Sequence, residues 1–371
     1  MTRSSKKIAV KDLAWAKKQF QDFFRITTPH IILGTGTSCA VDVGFGMVAL
    51  MDKLLQSMAS ITLDKKSLLQ WAKVKKSLAH NVDIEHSLDF ALTPTLRENI
   101  LRITGKSVAE LDQKYAGPIC RRQKEWPAMA IIEKIVKGLS NSDHQELNVI
   151  TTNYDLLFEY ACAAYGVTCL DGFCGNVIKK EDWSASQRIV CQPEAVRNSR
   201  GKMKKKVAIL PHIRLYKVHG SLNRFLVNDE VVSVDMWIGD APVDVERVII
   251  TPGSSKYEKI QKYRKELESK ADESVGAANS FLFLGYGMND VHIEQYIKQR
   301  IHRDRKPAVF ITRDLNERME NFAKQNDTVW IVCGLEDPNA GSRIFNNQLG
   351  GWLHVTGKRL WEFPQFAKQI M

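Results

Sequence analysis

The segment HIILGTGTSCAVDVGFG, from His30 to Gly46, restricts the possible folds more than any other stretch of the chain. A short run, His30 to Leu33, stops at a glycine-rich turn, and apolar residues then recur at helical spacing. A continuous apolar run marks a strand in a sheet covered on both faces, because a sheet with one wet face alternates instead. Gly34 and Gly36 permit a tight turn and a close backbone approach, while Thr37 and Ser38 add hydroxyls beside the N–H groups of the turn. Strand, phosphate loop and helix is the expected order, with an anionic phosphate at the turn. The third glycine position of a GxGxxG fingerprint is Cys39, and no Gly-Lys-Ser/Thr follows as in a Walker A loop. A tight turn with no ligand is therefore the alternative for this segment taken alone.

A chain of 371 residues is long enough for one large α/β domain with insertions, or for two domains, without metals or disulfides as staples. The cysteines, Cys39, Cys120, Cys162, Cys169, Cys174, Cys191 and Cys333, are scattered and contain no CxxC pair. That pattern predicts reduced thiols in a cytoplasmic protein and no structural zinc ribbon. The first residues carry charge but no apolar core of an export signal, and no run approaches a membrane-spanning length, so no direct membrane binding is expected. The net charge of +11 suits polyanionic ligands. It is spread over amphipathic helices, with runs at Lys202–Lys206 and His302–Lys306, and lacks interleaved aromatics. A solvated basic face is the simpler reading, and a direct nucleic-acid contact stays open.

Along the chain, a helix is expected over Ile8–Phe24, and Met47, Leu50, Met51, Leu54, Leu55 and Met58 repeat at helical spacing, the methionines as core filler. From Leu63 to Ser142 the pattern is helix after helix, with breaks near Asn81, Thr93-Pro94, Gly105 and Gly117-Pro118. This reads as a helical insertion, 63–142, within a single domain over 1–371. Strands are expected at Leu147–Thr152, Leu215–Val218, Arg247–Thr251, Ser280–Leu284, Ala308–Thr312 and Thr328–Cys333, with helices at Tyr154–Tyr165, Lys256–Val275 and Leu315–Gln325. Gly172–Ile209 reads as an exposed excursion, and Phe225–Val234 as a hairpin with a polar turn. Together they make a loop and hairpin excursion, 172–246, beside His219. Strands alternating with helices predict a Rossmann-like, doubly wound, mostly parallel sheet, whose ligands bind at the carboxyl ends of the strands.

Four segments end apolar runs in small or polar residues: GTGTS at Gly34–Ser38, TTNYD at Thr151–Asp155, KVHGS at Lys217–Ser221 and GYGMND at Gly285–Asp290. If these are parallel strand ends at one rim, a single crevice gathers Ser38, Asn153, Asp155, His219, Ser221 and Asn289, with Gly285 and Tyr286 beside them. Such a set suits a ribose, a carboxamide and a water. Each part also has a simpler reading. Asn153 and Asp155 are good helix-capping types, His219 suits a core histidine satisfied by backbone, and Asp290 suits a cap on the next helix.

The ordered set GTGTS, TTNYD, KVHGS and GYGMND resembles the sirtuin-like NAD-binding domains of bacterial anti-phage defence proteins, over roughly Ile31 to Gly334. The resemblance implies that Gly34 to Ser38 hold the NAD pyrophosphate, that Asn153 contacts the ribose and that Asp155 recognises nicotinamide. It makes His219 the catalytic base; Ser221, Gly285, Tyr286 and Asn289, from the same rim, are expected to complete the NAD site. Sirtuin deacylases carry a four-cysteine zinc module after the catalytic histidine, and here only Cys333 lies beyond His219. The gap between Asn153 and His219 is also long. Both departures match the defence branch, whose members are similar in cleaving NAD without an acyl-lysine acceptor. The expectation is an NAD hydrolase with Asn153 and His219 as catalytic residues and no metal. The alternatives are an NAD-dependent protein deacylase and a module that binds NAD or ADP-ribose without turnover. A homo-oligomer formed through the helical insertion is expected, with a HerA-type ATPase or another defence component as partner.

Overall fold

The computed structural model describes residues 12–80, 82–139, 145–197, 203–242, 244–251 and 261–371. The expected break at Asn81, the start of the first helix at 8–11, the insertion's end at 140–142, Lys202 and the helix start at 256–260 lie outside the described residues.

The main sheet comprises β1 (His30–Leu33), β2 (Glu146–Thr151), β3 (Cys169–Leu170), β4 (His212–Lys217), β5 (Phe281–Leu284), β6 (Ala308–Ile311), β7 (Val329–Gly334), β8 (Gly341–Phe345) and β9 (Leu353–Thr356). Their order is β9-β8-β7-β6-β5-β1-β2-β4-β3. All pairs from β3 to β7 are parallel, and β8 and β9 join antiparallel. The fold is thus the doubly wound, mostly parallel α/β class that the alternation of elements predicts. The chain runs outward from β1 to one side and later returns to the other at β5, so the order reverses between β1 and β5. In a sheet of this class the ligand crevice lies at the carboxyl ends of the strands beside such a reversal.

Alternate residues of each strand feed two cores. Ile31, Leu33, Val149, Leu215, Leu284 and Ile311 face helices Leu13–Ile26, Met129–Leu139, Leu157–Tyr165 and Phe363–Gln369. Ile32, Ile150, Tyr216, Phe283, Phe310 and Ile331 face helices Gln261–Ala277, Val291–Arg303 and Glu317–Lys324. Burial on both faces explains why these strands read as unbroken apolar runs.

A helical lobe stands over the crevice. Helices Met47–Met58, Lys65–Ala79, Ile84–Ser87 and the first half of Pro94–Cys120 share a core of their own, in which Leu54, Val74, Leu88, Leu96 and Ile100 are fully buried. The lobe therefore takes in the helix before residue 63, whereas Met129–Leu139, at the far end of the 63–142 interval, packs on the sheet. Most apolar stripes of that interval are covered within the chain. Leu68 and Leu69 are the exceptions, at 57% and 65% exposure.

The 172–209 stretch, expected as an irregular excursion, is more regular than its Gly, Ser and Lys content suggests. Strands Phe173–Gly175 and Lys179–Glu181 join Gly220–Val227, Glu230–Ser233 and Glu246–Ile249 in a second, five-stranded sheet, and Cys191–Arg197 pairs with Met203–Ile209 as a separate ribbon. Local hairpin pairing orders both pairs of strands, and only Lys179–Glu181 also pairs with a distant segment, Glu230–Ser233. The Arg247–Thr251 strand belongs to this antiparallel sheet and not to the main one. The turn of the expected hairpin is Asn228-Asp229, both at positive φ, as a tight two-residue hairpin turn requires. Among the described residues no helix is long and apolar enough to cross a membrane.

Candidate active site at the carboxyl rim of the sheet

The four motifs do meet at one rim, because β1, β2, β4 and β5 are neighbours and each ends there. Two glycine turns lock together first. A Cβ on Gly34 would lie 2.5 Å from the Gly285 carbonyl oxygen, and one on Gly36 would lie 2.8 Å from the Gly285 Cα. Gly285 itself has φ +57°. Backbone packing against backbone therefore demands glycine here, a reason separate from any phosphate. The N–H groups of the turn are also committed. Those of Gly36, Thr37 and Ser38 donate to the carbonyls of Gly285, Gly34 and Thr35 at 2.9, 3.0 and 3.1 Å. The sequence-level picture of free donors in this loop does not hold for those three.

Asn153 ties β2 to the loop. Its Nδ2 donates towards the Gly34 carbonyl, Thr37 Oγ1 and Ser38 Oγ at 3.1, 3.1 and 3.0 Å. Its Oδ1 is buried with no hydrogen-bond partner. A buried acceptor without a donor is an energetic liability of about 1–3 kcal/mol and calls for an explanation. The Ser38 hydroxyl donates onward to Asp155 Oδ2 at 2.7 Å, and Asp155 Oδ1 accepts from the Leu157 N–H at 3.3 Å. Burial pushes the Asp155 carboxyl up from its ordinary range, against the pull of nearby Lys217.

Below this layer lies Lys217, 1% exposed, whose Nζ donates to the Asp155 carbonyl and to Glu159 Oε1, the latter at 2.7 Å. Asp112, from the long helix Pro94–Cys120, accepts from the Leu156 N–H and the Tyr160 hydroxyl, both at 2.7 Å. Burial raises its carboxyl to about 6. The rim thus rests on buried ionisable groups that hold each other, and Asp112 joins the helix of the lobe to the rim.

His219 follows β4. Its carbonyl accepts from the Ile250 N–H at 2.8 Å, and the Tyr154 hydroxyl donates to the Ile250 carbonyl. The next residue, Gly220, has φ +84°, and a Cβ there would fall 2.0 Å from the Val248 carbonyl oxygen, so the turn after His219 demands glycine. The imidazole Nε2 contacts Asp290 Oδ2, with both side chains largely buried.

These residues open on a cavity of about 750 Å³ between the rim and the helical lobe. Of the residues singled out by sequence, Gly34, Asn153, Asp155, His219, Gly285, Tyr286 and Asn289 line it. Gly36, Thr37, Ser38 and Ser221 do not. Thr37, Ser38 and Ser221 are at most 1% exposed, and the Ser221 hydroxyl reaches only the Tyr154 carbonyl, at 3.5 Å. They stand behind the lining residues. Tyr286 donates its hydroxyl to Glu294 Oε1 at 3.0 Å, and burial holds that phenol well above its usual range.

Sequence reasoning missed Asp290 as a partner of His219, although it lies inside the GYGMND motif. It also missed the opposite wall, where Lys53, Gln56, Glu85 and Lys114 line the cavity. Those residues sit on amphipathic helices, and nothing in their spacing separates a cleft-facing side chain from a solvated one. Lys114 is held by Asp42 Oδ2 at 3.0 Å, which also accepts from the Tyr115 hydroxyl at 2.6 Å. All seven cysteines are free thiols, and among the described residues no group of three or more His, Cys, Asp or Glu side chains is placed to hold a metal ion.

With that geometry established, residues 147–331 match the family described as "SIR2-like domain", just under half of the chain. No curated protein matches the sequence. One solved structure, described as "Structural Basis for the Mechanism and Regulation of Sir2 Enzymes", is similar at 10% identity, covering 84% of this chain and 90% of that one with a TM-score of 0.40.

Proposed function

We propose that this sirtuin-like domain hydrolyses NAD to nicotinamide and ADP-ribose. The observation that carries the reading is the state of Asn153: its amide nitrogen is pinned by the glycine loop while its buried Oδ1 has no donor, on a cavity that His219 also lines. Once a small side-chain shift opens that oxygen to the cavity, a ribose hydroxyl or a water supplies the missing donor, and NAD brings both a ribose and a bond to be broken beside it. The SIR2-like match over 147–331 supports an NAD-type ligand.

The nicotinamide of NAD is a cationic leaving group. When the bond from ribose C1′ to the ring nitrogen breaks, the electron pair stays with nicotinamide, which departs neutral and leaves an oxocarbenium-like ribose. Water then bonds to C1′ through its oxygen and gives up a proton. Asn153 orients the ribose and that water, and His219 accepts the proton. Asp155, on the same cavity, receives the departing carboxamide.

The wider role under this reading is an NAD-depleting effector of anti-phage defence, cytoplasmic and controlled by a partner such as a HerA-type ATPase, since unregulated NAD loss harms the host. A homo-oligomer built through the helical lobe fits the neighbouring exposed Leu68 and Leu69. The deciding assay is incubation with NAD alone and with an acyl-lysine peptide added. Nicotinamide release from NAD alone is the expected result. Release only with the peptide would make the chain a deacylase, and calorimetric binding with no release under either condition would make it a sensor.

A further inference from the structure

His219 does not stand alone at the rim. Asp290 ends the GYGMND turn and starts the helix Val291–Arg303, and its carboxylate is fixed from more than one direction. Oδ1 accepts from the Ile293 N–H at 3.3 Å, as a helix cap does, while the Asp290 N–H donates to Glu294 Oε1 at 2.9 Å. Glu294 is in turn held by the Tyr286 hydroxyl at 3.0 Å and by Lys298 Nζ at 2.6 Å. The second carboxylate oxygen, Oδ2, goes to His219 Nε2.

The imidazole is positioned independently. The turn at Gly220 and the bond from the Ile250 N–H to the His219 carbonyl set its backbone, on a different strand and a different loop. A capping aspartate needs only one oxygen for its helix. Here the other oxygen meets a ring nitrogen across two motifs that are far apart in sequence, at a site where both side chains line the same cavity.

From this we infer that Asp290 is the positioning residue of His219: it holds the Nε2–H tautomer and stabilises the imidazolium that forms when His219 takes a proton. The inference rests on the hydrolase reading for its consequence in turnover, but the tautomer itself does not depend on that reading. A carboxylate is an acceptor only, so the ring nitrogen it faces must carry hydrogen, and the other nitrogen, Nδ1, becomes the accepting one. Once that nitrogen is protonated, the adjacent carboxylate favours the charged ring. Asp290 makes no bond to the reacting atoms in this account and acts only through His219.

The test separates charge and tautomer from helix capping. Asp290→Asn and Asp290→Ser both keep a good cap for Val291–Arg303, so both variants should fold. Asn offers the ring a carboxamide that serves either tautomer, and Ser is too short to reach it. NMR on protein with nitrogen-labelled histidine should show, in the wild type, a His219 Nε2–H proton shifted far downfield and slow to exchange, as one held by a carboxylate is, and its loss or upfield shift in both variants. Nicotinamide release should fall by about 10² to 10⁴ in kcat for Asp290→Asn, the scale set by loss of a histidine-orienting aspartate elsewhere, with KM for NAD changed less than about threefold. Both changes together support the inference. An Nε2–H resonance unchanged in Asp290→Ser overturns it, whatever happens to turnover, and so does a lost resonance with kcat held within about threefold of wild type. If the wild type releases no nicotinamide, the hydrolase reading fails, and the Nε2–H resonance then decides the His219–Asp290 pairing on its own.

Discussion

The sheet rim and the helical lobe face each other across one cavity, and they are held together in opposite ways. The lobe has an apolar core, with Leu54, Val74, Leu88, Leu96 and Ile100 fully buried among neighbours of the same kind. The rim is a stack of buried polar groups: Asn153 on the glycine loop, Ser38 on Asp155, Lys217 on Glu159, and Asp112 underneath. Apolar packing is non-directional and tolerates volume-conserving exchange, whereas a buried polar network fails when one member is lost. The rim is therefore the wall able to hold a reacting group in one geometry. The lobe shapes the cavity and closes it.

Removing a buried charge from the rim should give the largest effect. Lys217→Met leaves Glu159 and the Asp155 carbonyl without their cation, and breaking such a buried pair costs about 3–5 kcal/mol. Denaturant unfolding should show a loss of that order. A loss under about 1 kcal/mol would mean that the rim does not depend on its polar network as described.

A smaller effect is expected from Gly36→Val, where the new Cβ meets the Gly285 backbone. Overpacking of this kind costs about 1–3 kcal/mol, and the two loops must part to relieve it. The midpoint of thermal unfolding should fall along with NAD affinity. Weaker NAD binding at unchanged stability would show that the glycine serves the ligand rather than the contact between loops.

Asp112 tests the joint between the two walls. Its carboxyl titrates near 6 in the folded protein, above its ordinary value, because it is buried. The folded state then holds more protons than the unfolded one between about pH 4 and 6, so this group's contribution to stability declines as pH rises through that window and is level above it. Asp112→Asn removes the titration. The stability difference between wild type and variant should therefore change across pH 4–6 by about 1–3 kcal/mol and stay constant from pH 7 to 8. A pH-independent difference would place the Asp112 titration elsewhere.

The smallest effect is expected on the outer face of the lobe. Leu68→Ala with Leu69→Ala removes exposed apolar surface and should alter monomer stability by no more than about 0.5 kcal/mol. If the lobe carries a subunit interface, light scattering should nonetheless show the assembly shift towards the 42.1 kDa chain. A wild-type monomer at micromolar concentration would remove that interface from the account.

The same contrast explains which parts were legible in the sequence. Strand ends such as Leu33-Gly34 and Leu284-Gly285 announce themselves, because a doubly buried strand must be apolar and the turn after it needs special backbone. The His-Gly and Asn-Tyr-Asp segments were readable for the same reason, and they do converge on one cavity. The role of Gly36 was not readable, since sequence cannot show that its neighbour is the Gly285 backbone. The antiparallel strands Gly341–Phe345 and Leu353–Thr356 and the strands within 172–209 were missed, because they are short hairpin strands without the unbroken apolar run that marks a doubly buried parallel strand. Lys53 and Glu85 were invisible as cavity residues, since helical periodicity identifies a helix's buried face and is silent on which polar residue of the other face looks into a cleft.

A time course of nicotinamide release reads the action of Asn153 and His219 on NAD at this rim. Wild type, Asn153→Ala and His219→Ala should be compared on NAD alone, with each fold checked by circular dichroism. Steady release by the wild type and a fall of about 10² or more in kcat for both folded variants are expected. Release by either variant within about tenfold of wild type would contradict that action.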